Sequence, residues 1–346
     1  TDRLIITSIT FNCFNDLVIE NVYNRDYVHS MKKILIYEYI TGGGLLNEDL
    51  TSSLMNEANM ITASINDCCH KSKYFTHNSF RDYRLSGTND KEFIILRDNS
   101  KIYDLEFLRE YDYVLPVLPE IDMKLYKYVK YLEEHGINAV ISNSDTIKIC
   151  SDKLKFYKYC KKYSLPSINT YEKYNNSLKN KLVMIKDRYG AGCSYNEVIK
   201  NTKNNGKIGN NKVIQPYING DDFSISIYFT KKNFKVLTVN KQIIEYRNNK
   251  ARLQSIIVNI KNKSYLKVLS LISSIKNIFP GLYGFVGVDI IVNEDAIFLV
   301  EINPRLTTSF IGIYDTIGIN IIDLISSKKV LKNIISGKKY YIHNYD

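Results

Sequence analysis

The alternation of apolar strands and amphipathic helices in the first third of the chain constrains the fold most. The run KKILIYEY at residues 32–39 predicts a strand, and the glycine turn TGGG at 41–44 follows it. A helix is then predicted from an apolar stripe at helical spacing, formed by Leu50, Leu54, Ala58, Ile61 and Ile65. Further strands are predicted at 93–96, 113–118 and 139–141, with a helix around 121–132 between the last two. This alternation indicates a small parallel α/β domain over residues 31–143.

The pattern of predicted helices and strands changes after residue 143. Two short helices are predicted at 144–150 and 152–163, and an apolar helix at 264–278. Strands are predicted at 182–186, 213–217, 223–230, 235–240, 286–292 and 297–302, and the polar stretch 200–212 predicts a loop. This part, residues 144–335, is therefore expected to be an α+β domain rich in antiparallel pairing. Residues 336–346 are expected to form a C-terminal tail. Residues 1–30 form an extension of uncertain status, because Met31 is a natural start and an N-terminal arm remains the alternative.

Composition favours a folded, cytoplasmic protein of about two domains. Of 346 residues, 45% are hydrophobic and 24% charged, which excludes global disorder and a collagen-like class. No uncharged apolar run approaches the roughly 18 residues of a membrane span. The net charge of +11 favours anionic ligands only weakly, because a genome rich in A and T would by itself raise the lysine content.

The six cysteines lack a CxxC pair and fit reduced thiols better than a disulfide framework. Two of them, Cys68 and Cys69, lie next to His70 and close to His77 in the sequence. Adjacent cysteines have poor spacing for zinc ligands, so the sequence argues against a metal cluster here.

Two stretches carry residues suited to nucleotide chemistry. The segment 287–305 predicts a hairpin whose apolar strands are interrupted by Asp289, Glu301 and Asn303. Three oxygen ligands on paired strands suit Mg²⁺, although strand capping or an ion pair with Arg305 explains them equally well. The second stretch is an apolar strand that ends in Lys186 and precedes a Gly-x-Gly turn, which suits phosphate oxygens.

A third stretch, VIQPYINGDDFS at 213–224, predicts two strands joined by a short linker. Such a crossover can present backbone groups to adenine and a carboxylate to ribose. A plain β-turn at Asn219 and Gly220 is the structural alternative. The chain lacks a GxxxxGK[ST] loop and an HRD-type catalytic loop, which makes a P-loop protein or a protein kinase unlikely.

Taken in order, these elements resemble the ATP-grasp ligase superfamily over residues 144–335. The resemblance rests on the segments SDK at 151–153, Lys186 with its glycine loop, 215–222, NK at 240–241, Asp289 and EINPR at 301–305. It implies an ATP-grasp domain that follows the α/β domain, and an ATP-dependent carboxylate-amine ligase working through an acyl phosphate. The implied cofactors are ATP and Mg²⁺ or Mn²⁺.

The resemblance also implies roles for individual residues. The ATP phosphates, adenine and ribose would be bound by Lys153, Lys186, Gly190, Gly192, Cys193, Gln215, Tyr217, Ile218 and Asp222. The metal would be bound by Asp289, Glu301 and Asn303, and catalysis would involve Arg305 and Lys241. Asp222 stands where glutamate is commoner in the superfamily, and Lys241 stands where arginine is often found.

The opening EYITGGG at 38–44 resembles a narrower ATP-grasp group that includes the archaeal tyramine-glutamate ligases of methanofuran biosynthesis. This resemblance implies glutamate and an aromatic amine as substrates, with Glu38, Gly42, Gly43 and Gly44 at the substrate site. The alternative is a tight strand-to-helix turn that needs the glycines only for its backbone.

Other functions remain open alongside this ligase. They are an ATP-grasp ligase or carboxylase of other specificity, and a nucleotide- or nucleic-acid-binding module without catalysis, suggested by the charge and the 28 tyrosines. The tyrosines are scattered and no RNP motif is present, so no nucleic acid is expected as a partner. Small-molecule carboxylate and amine substrates are expected, together with no membrane association and a possible homodimer.

Overall fold

The computed structural model describes residues 31–85, 91–174, 176–190, 196–201, 209–261, 264–294, 296–326 and 339–343. Within these residues, no helix is both long and apolar enough to cross a membrane.

The first part of the chain forms a four-stranded parallel sheet. Its strands are β1 (Lys32–Glu38), β2 (Phe75–Asp82), β3 (Phe93–Leu96) and β4 (Tyr113–Val117), in the order β3-β2-β1-β4. Its helices are α1 (Ser52–His70), α2 (Leu105–Leu108) and α3 (Lys124–Glu134). The expected parallel α/β architecture is confirmed. The predicted strand at 139–141 is only a single bridge between Ala139 and Val114, and β2 was not predicted.

The rest of the chain forms a nine-stranded sheet in which the named strands pair antiparallel throughout the described residues. Its strands are β5 (Leu182–Asp187), β6 (Glu197–Lys200), β7 (Lys212–Pro216), β8 (Asp221–Phe229), β9 (Phe234–Arg247), β10 (Lys250–Val258), β11 (Gly284–Asn293), β12 (Ala296–Asn303) and β13 (Tyr340–His343). The main path runs β12-β11-β8-β9-β10-β6-β5-β7, and β13 pairs with β10. The last strand lies inside the predicted C-terminal tail, so that stretch contributes to the sheet.

The helices of this second part are α4 (Ser144–Cys150), α5 (Lys153–Lys162), α6 (Tyr265–Ile278), α7 (Ile313–Ile317) and α8 (Ile321–Leu324). Two of them begin at side-chain caps. The Asn143 side chain accepts a hydrogen bond from the backbone N–H of Thr146, and Asp152 accepts from Leu154 and Lys155. Such caps satisfy N–H groups that have no partner within the helix, and they fix where α4 and α5 begin.

The parallel sheet is covered on one face by residues from the far end of the chain. Ile34 and Ile36 of β1 share a buried core with Phe310, Ile313 and Ile317. A hydrogen bond of 2.5 Å from Ser72 Oγ to Asp323 Oδ1 supports the same contact. The segment 306–325, which follows directly after β12, therefore packs against the first sheet and joins it to the hairpin of β11 and β12.

Candidate active site

The hairpin of β11 and β12 brings Asp289, Glu301 and Asn303 together. Asp289 lies opposite Glu301 in the strand register, and a bulge follows at Ile290. The amide Nδ2 of Asn303 donates to Asp289 Oδ2 at 2.9 Å and to Glu301 Oε1 at 3.4 Å. All three predicted ligands thus lie within one hydrogen-bonded cluster at the end of the hairpin.

The two carboxylates of this cluster affect each other's pKa. Burial and the negative charge of Glu301 raise the pKa of Asp289 well above its usual range. Burial also acts to raise the pKa of Glu301, but the positive charges of Lys153 and Lys186 outweigh it and lower that pKa. Two partly buried carboxylates this close repel each other, so a bound cation would stabilise both in the charged form.

Two predicted phosphate lysines lie beside the cluster. Lys153 is the first residue of α5, and its Nζ lies 3.8 Å from Glu301 Oε2 and donates to the carbonyl oxygen of Gly190 at 2.6 Å. Lys186 lies near the end of β5 and is buried, yet its charge acts on both Asp289 and Glu301. The structure therefore brings Lys153, Lys186 and Gly190 to the hairpin. Gly192 and Cys193 lie outside the described residues.

An ion pair that sequence analysis did not single out holds Lys153 in position. Arg188 donates from Nε to Asp152 Oδ1 at 2.8 Å and from Nη2 to Asp152 Oδ2 at 2.7 Å. The hydroxyl of Tyr189 also donates to Asp152 Oδ2, at 3.2 Å. Because Asp152 caps α5 as well, this pair joins the start of the helix to the residues that follow β5.

The residues predicted for adenine and ribose lie on the neighbouring strands. Gln215 on β7 is buried, and its Nε2 donates to Thr170 Oγ1 at 2.9 Å, whereas its Oε1 is buried without a partner among the described residues. Tyr217 and Ile218 are partly buried in the link from β7 to β8. An unpaired buried acceptor normally costs free energy, so the Gln215 side chain is suited to receive a donor from a ligand.

Asp222 and Lys241 lie on paired strands, β8 and β9. Burial raises the pKa of Asp222, while the charges of Lys241 and Lys186 oppose that rise. The Lys241 ammonium pairs with Asp221 and lies 4.8 Å from the centre of the Phe223 ring. Asp222 is therefore close to Lys186, but the described contacts of Lys241 are to Asp221 and Phe223 rather than to the carboxylates of the hairpin.

Arg305, two residues beyond Asn303, is bound by a partner that the sequence did not indicate. Its Nε and Nη2 donate to the two carboxylate oxygens of Glu120 at 2.9 and 2.7 Å, and its Nη1 donates to the carbonyl oxygen of Leu306 at 3.0 Å. A guanidinium has five N–H groups, so two of them have no protein partner among the described residues. Arg305 is thus held in place by one carboxylate and still has donors for an anion.

The glycine turn after β1 is packed tightly against itself. Both oxygens of Glu38 accept hydrogen bonds from the turn, including one of 2.6 Å from the Thr41 backbone N–H. A Cβ at Gly42 would lie 2.3 Å from the Glu38 carbonyl oxygen, and Gly43 has a φ of +86°. A Cβ at Gly44 would lie 2.3 Å from the ring of Tyr39. The backbone alone therefore requires the glycines, and the Glu38 carboxylate is occupied by the turn.

The carboxylate of Glu57 lies between this turn and the hairpin, and sequence analysis did not single it out either. It accepts a hydrogen bond from the Thr308 hydroxyl, and its charge acts on both Glu38 and Arg305. Because Glu57 lies on α1, a helix of the first part of the chain contributes a carboxylate near Arg305.

Comparison with known proteins agrees with this geometry. The model of the ATP-grasp domain family matches residues 150–309. A tyramine–L-glutamate ligase of Methanocaldococcus fervens is 27% identical over 287 residues, which cover 81% of this chain and 89% of that protein.

Solved structures agree in fold. One is described as an ATP-grasp superfamily protein from Archaeoglobus fulgidus; it has a TM-score of 0.71 at 23% identity and covers 91% of this chain and 92% of its own. Another is the biotin carboxylase domain of Hydrogenobacter thermophilus 2-oxoglutarate carboxylase in complex with MgADP, with a TM-score of 0.66 at 15% identity and coverage of 90% and 74%.

These findings confirm the expected ATP-grasp fold and the expected class of enzyme, an ATP-dependent ligase that forms carbon–nitrogen bonds. Residues 150–309, which gather a carboxylate hairpin, two lysines and an arginine at one site, match the ATP-grasp domain family.

Proposed function

We propose that this chain joins glutamate to tyramine, or to a closely related aromatic amine, with hydrolysis of ATP to ADP and phosphate. The observation that carries the proposal is the cluster of Asp289, Glu301 and Asn303 beside Lys153 and Lys186. The choice of substrates is supported by the similarity to the tyramine–L-glutamate ligase of M. fervens along most of both chains.

The nucleotide would lie between the antiparallel sheet and the residues after β5. Lys153 and Lys186 would bind its phosphates, because both ammonium groups lie beside the carboxylate hairpin. Gln215 has a buried acceptor, Oε1, that matches the amino group of adenine, and Asp222 would accept from ribose hydroxyls. Gly190, Tyr217 and Ile218 would enclose the nucleotide with their backbones, and the same role is proposed for Gly192 and Cys193.

The donor set of the three hairpin residues supports a divalent metal at this site. They offer two carboxylates and one amide oxygen, which are hard ligands of the kind that Mg²⁺ or Mn²⁺ prefers. The mutual repulsion of Asp289 and Glu301 in a partly buried position is what a bound cation would relieve. When bound, the metal would neutralise charge on the phosphate oxygens. The Asn303 amide would then turn its oxygen toward the cation.

The chemistry needs the transfer of one phosphoryl group and one acyl group. A carboxylate oxygen of glutamate would attack the γ-phosphorus of ATP, breaking the bond to ADP and giving an acyl phosphate. The amine nitrogen would then attack the acyl carbon, expel phosphate, lose a proton and form the amide. Lys153 and Lys186 would offset negative charge during the first step, and positioning and electrostatics dominate such catalysis.

Arg305 is placed to act on the acyl phosphate. Its two unpaired N–H groups would donate to phosphate oxygens while Glu120 holds the guanidinium in plane. Lys241 is proposed as an auxiliary cation near the ribose side, through its proximity to Asp222. The turn from Glu38 through Gly42, Gly43 and Gly44 would shape the acid site through its backbone.

The test is a phosphate-release assay with MgATP and pairs of acids and amines, followed by mass measurement of the product. Glutamate with tyramine should release phosphate and give a product of the combined mass less one water. Aspartate with tyramine, and glutamate with ammonia, should give at least tenfold lower kcat/KM, because one methylene or a missing aromatic ring removes binding energy.

A matched pair of variants makes the assay specific to this site. Glu301→Gln should abolish product formation, whereas Glu245→Gln, on the exposed part of β9, should keep full activity. Release of phosphate with another acid and amine, but not with glutamate and tyramine, would leave the ligase class standing and refute the substrates. Full activity of Glu301→Gln would remove the hairpin from the site.

A further inference from the structure

A second group of metal-ligating side chains lies on the parallel sheet, among residues without a part in the ligase chemistry above. His70 is the last residue of α1, His77 lies in β2 and Glu92 directly precedes β3. One ligand atom from each, either ring nitrogen of the histidines and a carboxylate oxygen, lies within 4.8 Å of the other two. Three elements thus place three ligands at one point of the surface.

His77 supplies an independent observation. The residue is 8% exposed, and its Nε2 is buried without a hydrogen-bond partner among the described residues. A buried imidazole nitrogen without a partner costs free energy, so its retention needs a reason.

The other two side chains are positioned to complete a site. His70 Nε2 lies 2.6 Å from Glu92 Oε1, and the rings of His70 and His77 are 5.1 Å apart between centroids. Tetrahedral zinc places its ligand atoms about 3.3 Å apart, given bonds of about 2.0–2.1 Å. The side chains of His70 and Glu92 are 53% and 35% exposed, so small rotations suffice to reach that spacing.

The neighbouring cysteines do not belong to this group. Cys68 and Cys69 are buried in the core, and burial raises the pKa of the Cys68 thiol to about 12. A buried thiol of that kind is neutral and packs as an apolar group. The two cysteines are therefore not considered as ligands, and Glu92, which sequence analysis did not single out, lies beside the two histidines.

We propose that His70, His77 and Glu92 bind one Zn²⁺, with water in the fourth position. Two imidazoles and a carboxylate form a donor set that suits zinc over Mg²⁺. The ion would fasten the end of α1 to β2 and β3. Because α1 also packs against the segment 306–325, the ion would stabilise the joined core of the first sheet.

The experiment titrates the metal-free, full-length protein with Zn²⁺ while excess Mg²⁺ and ADP occupy the hairpin. Calorimetry should find one Zn²⁺ per chain, and thermal unfolding at about a hundred times the dissociation constant should shift upward by about 4 °C. Co²⁺ in place of Zn²⁺ should give the visible absorption of a tetrahedral site.

Variants at His70, which is exposed, and Glu92, which is partly exposed, decide the assignment without disturbing the core. His70→Ala and Glu92→Gln should each weaken Zn²⁺ binding at least tenfold, which would at least halve the thermal shift at the same Zn²⁺ concentration. His135→Ala, a histidine at the end of α3, is the matched control and should bind as the wild type does. Equal Zn²⁺ affinity in wild type and both ligand variants would overturn the site. So would loss of Zn²⁺ binding in Glu301→Gln, which would move the ion to the hairpin.

Discussion

The ion pair of Arg305 and Glu120 offers a direct test of how the active site is held together. Glu120→Gln keeps the shape of the side chain but removes its charge, leaving a largely buried guanidinium without compensation. The Arg305 side chain is 16% exposed and the Glu120 side chain is 6% exposed. Removing one partner of a buried pair costs about 3–5 kcal/mol. Because glutamine retains one acceptor oxygen, we expect a value near the lower end, about 3 kcal/mol.

Thermal unfolding and steady-state kinetics measure the two consequences. With an unfolding entropy of about 2.1 cal/mol/K per residue, a chain of 346 residues loses about 1.4 °C per kcal/mol, so the melting temperature should fall by about 4 °C. Turnover should fall because Arg305 loses its fixed orientation. The dissociation constant of ATP should stay unchanged, because Arg305 is proposed to contact the acyl phosphate rather than ATP. Glu134→Gln, which removes an exposed ion pair with Lys130, should melt as the wild type does. Equal melting temperatures for the two variants would refute the reasoning.

Three further predictions concern the lysines, the turn and the helix cap. Lys186→Ala should weaken ATP binding at least tenfold by calorimetry, whereas the exposed Lys181→Ala should not; equal dissociation constants would contradict the phosphate role. Gly44→Ala should destabilise the fold by about 3 kcal/mol in urea unfolding, because the new Cβ would meet a tyrosine ring at 2.3 Å, and an unchanged midpoint would rule out that packing. Burial acts to raise the pKa of Asp152, but the hydrogen bonds from Arg188 outweigh it and leave that pKa below its usual value. The wild type should therefore lose stability as the pH falls below about 4. Asp152→Asn should lose less over that range, and parallel pH curves would refute this assignment.

The sequence predicts those strands whose buried residues form a continuous apolar run. β1, β4, β11 and β12 are continuous or nearly continuous apolar stretches, and they were found. β2 was missed because its sequence FTHNSFRD reads as polar, although Ser79 and Asp82 in it are buried. Burial of such residues depends on partners from other strands and loops, and a single sequence does not reveal them.

The candidate site divides in the same way. The hairpin carboxylates lie on two strands that are adjacent in the sequence and pair with each other, so the local pattern predicts that they lie close together. Glu120 and Arg305 are 185 residues apart, and their pairing depends on how the first sheet lies against the hairpin. Nothing in the residues near Glu120 indicates that contact. The zinc ligands show the same limit, since Glu92 joins two histidines only through the parallel pairing of β2 and β3.

The packing of the segment 306–325 on the first sheet has a consequence for synthesis on the ribosome. Ser72 and Asp323 are 251 residues apart, and at about 5–20 residues per second the second is translated about 10–50 s after the first. During that interval the nascent chain exposes the apolar face around Ile34, Ile36 and Phe75. Vectorial folding therefore cannot finish the first sheet before the last part of the chain emerges. A nascent chain of this kind is a natural client for a chaperone.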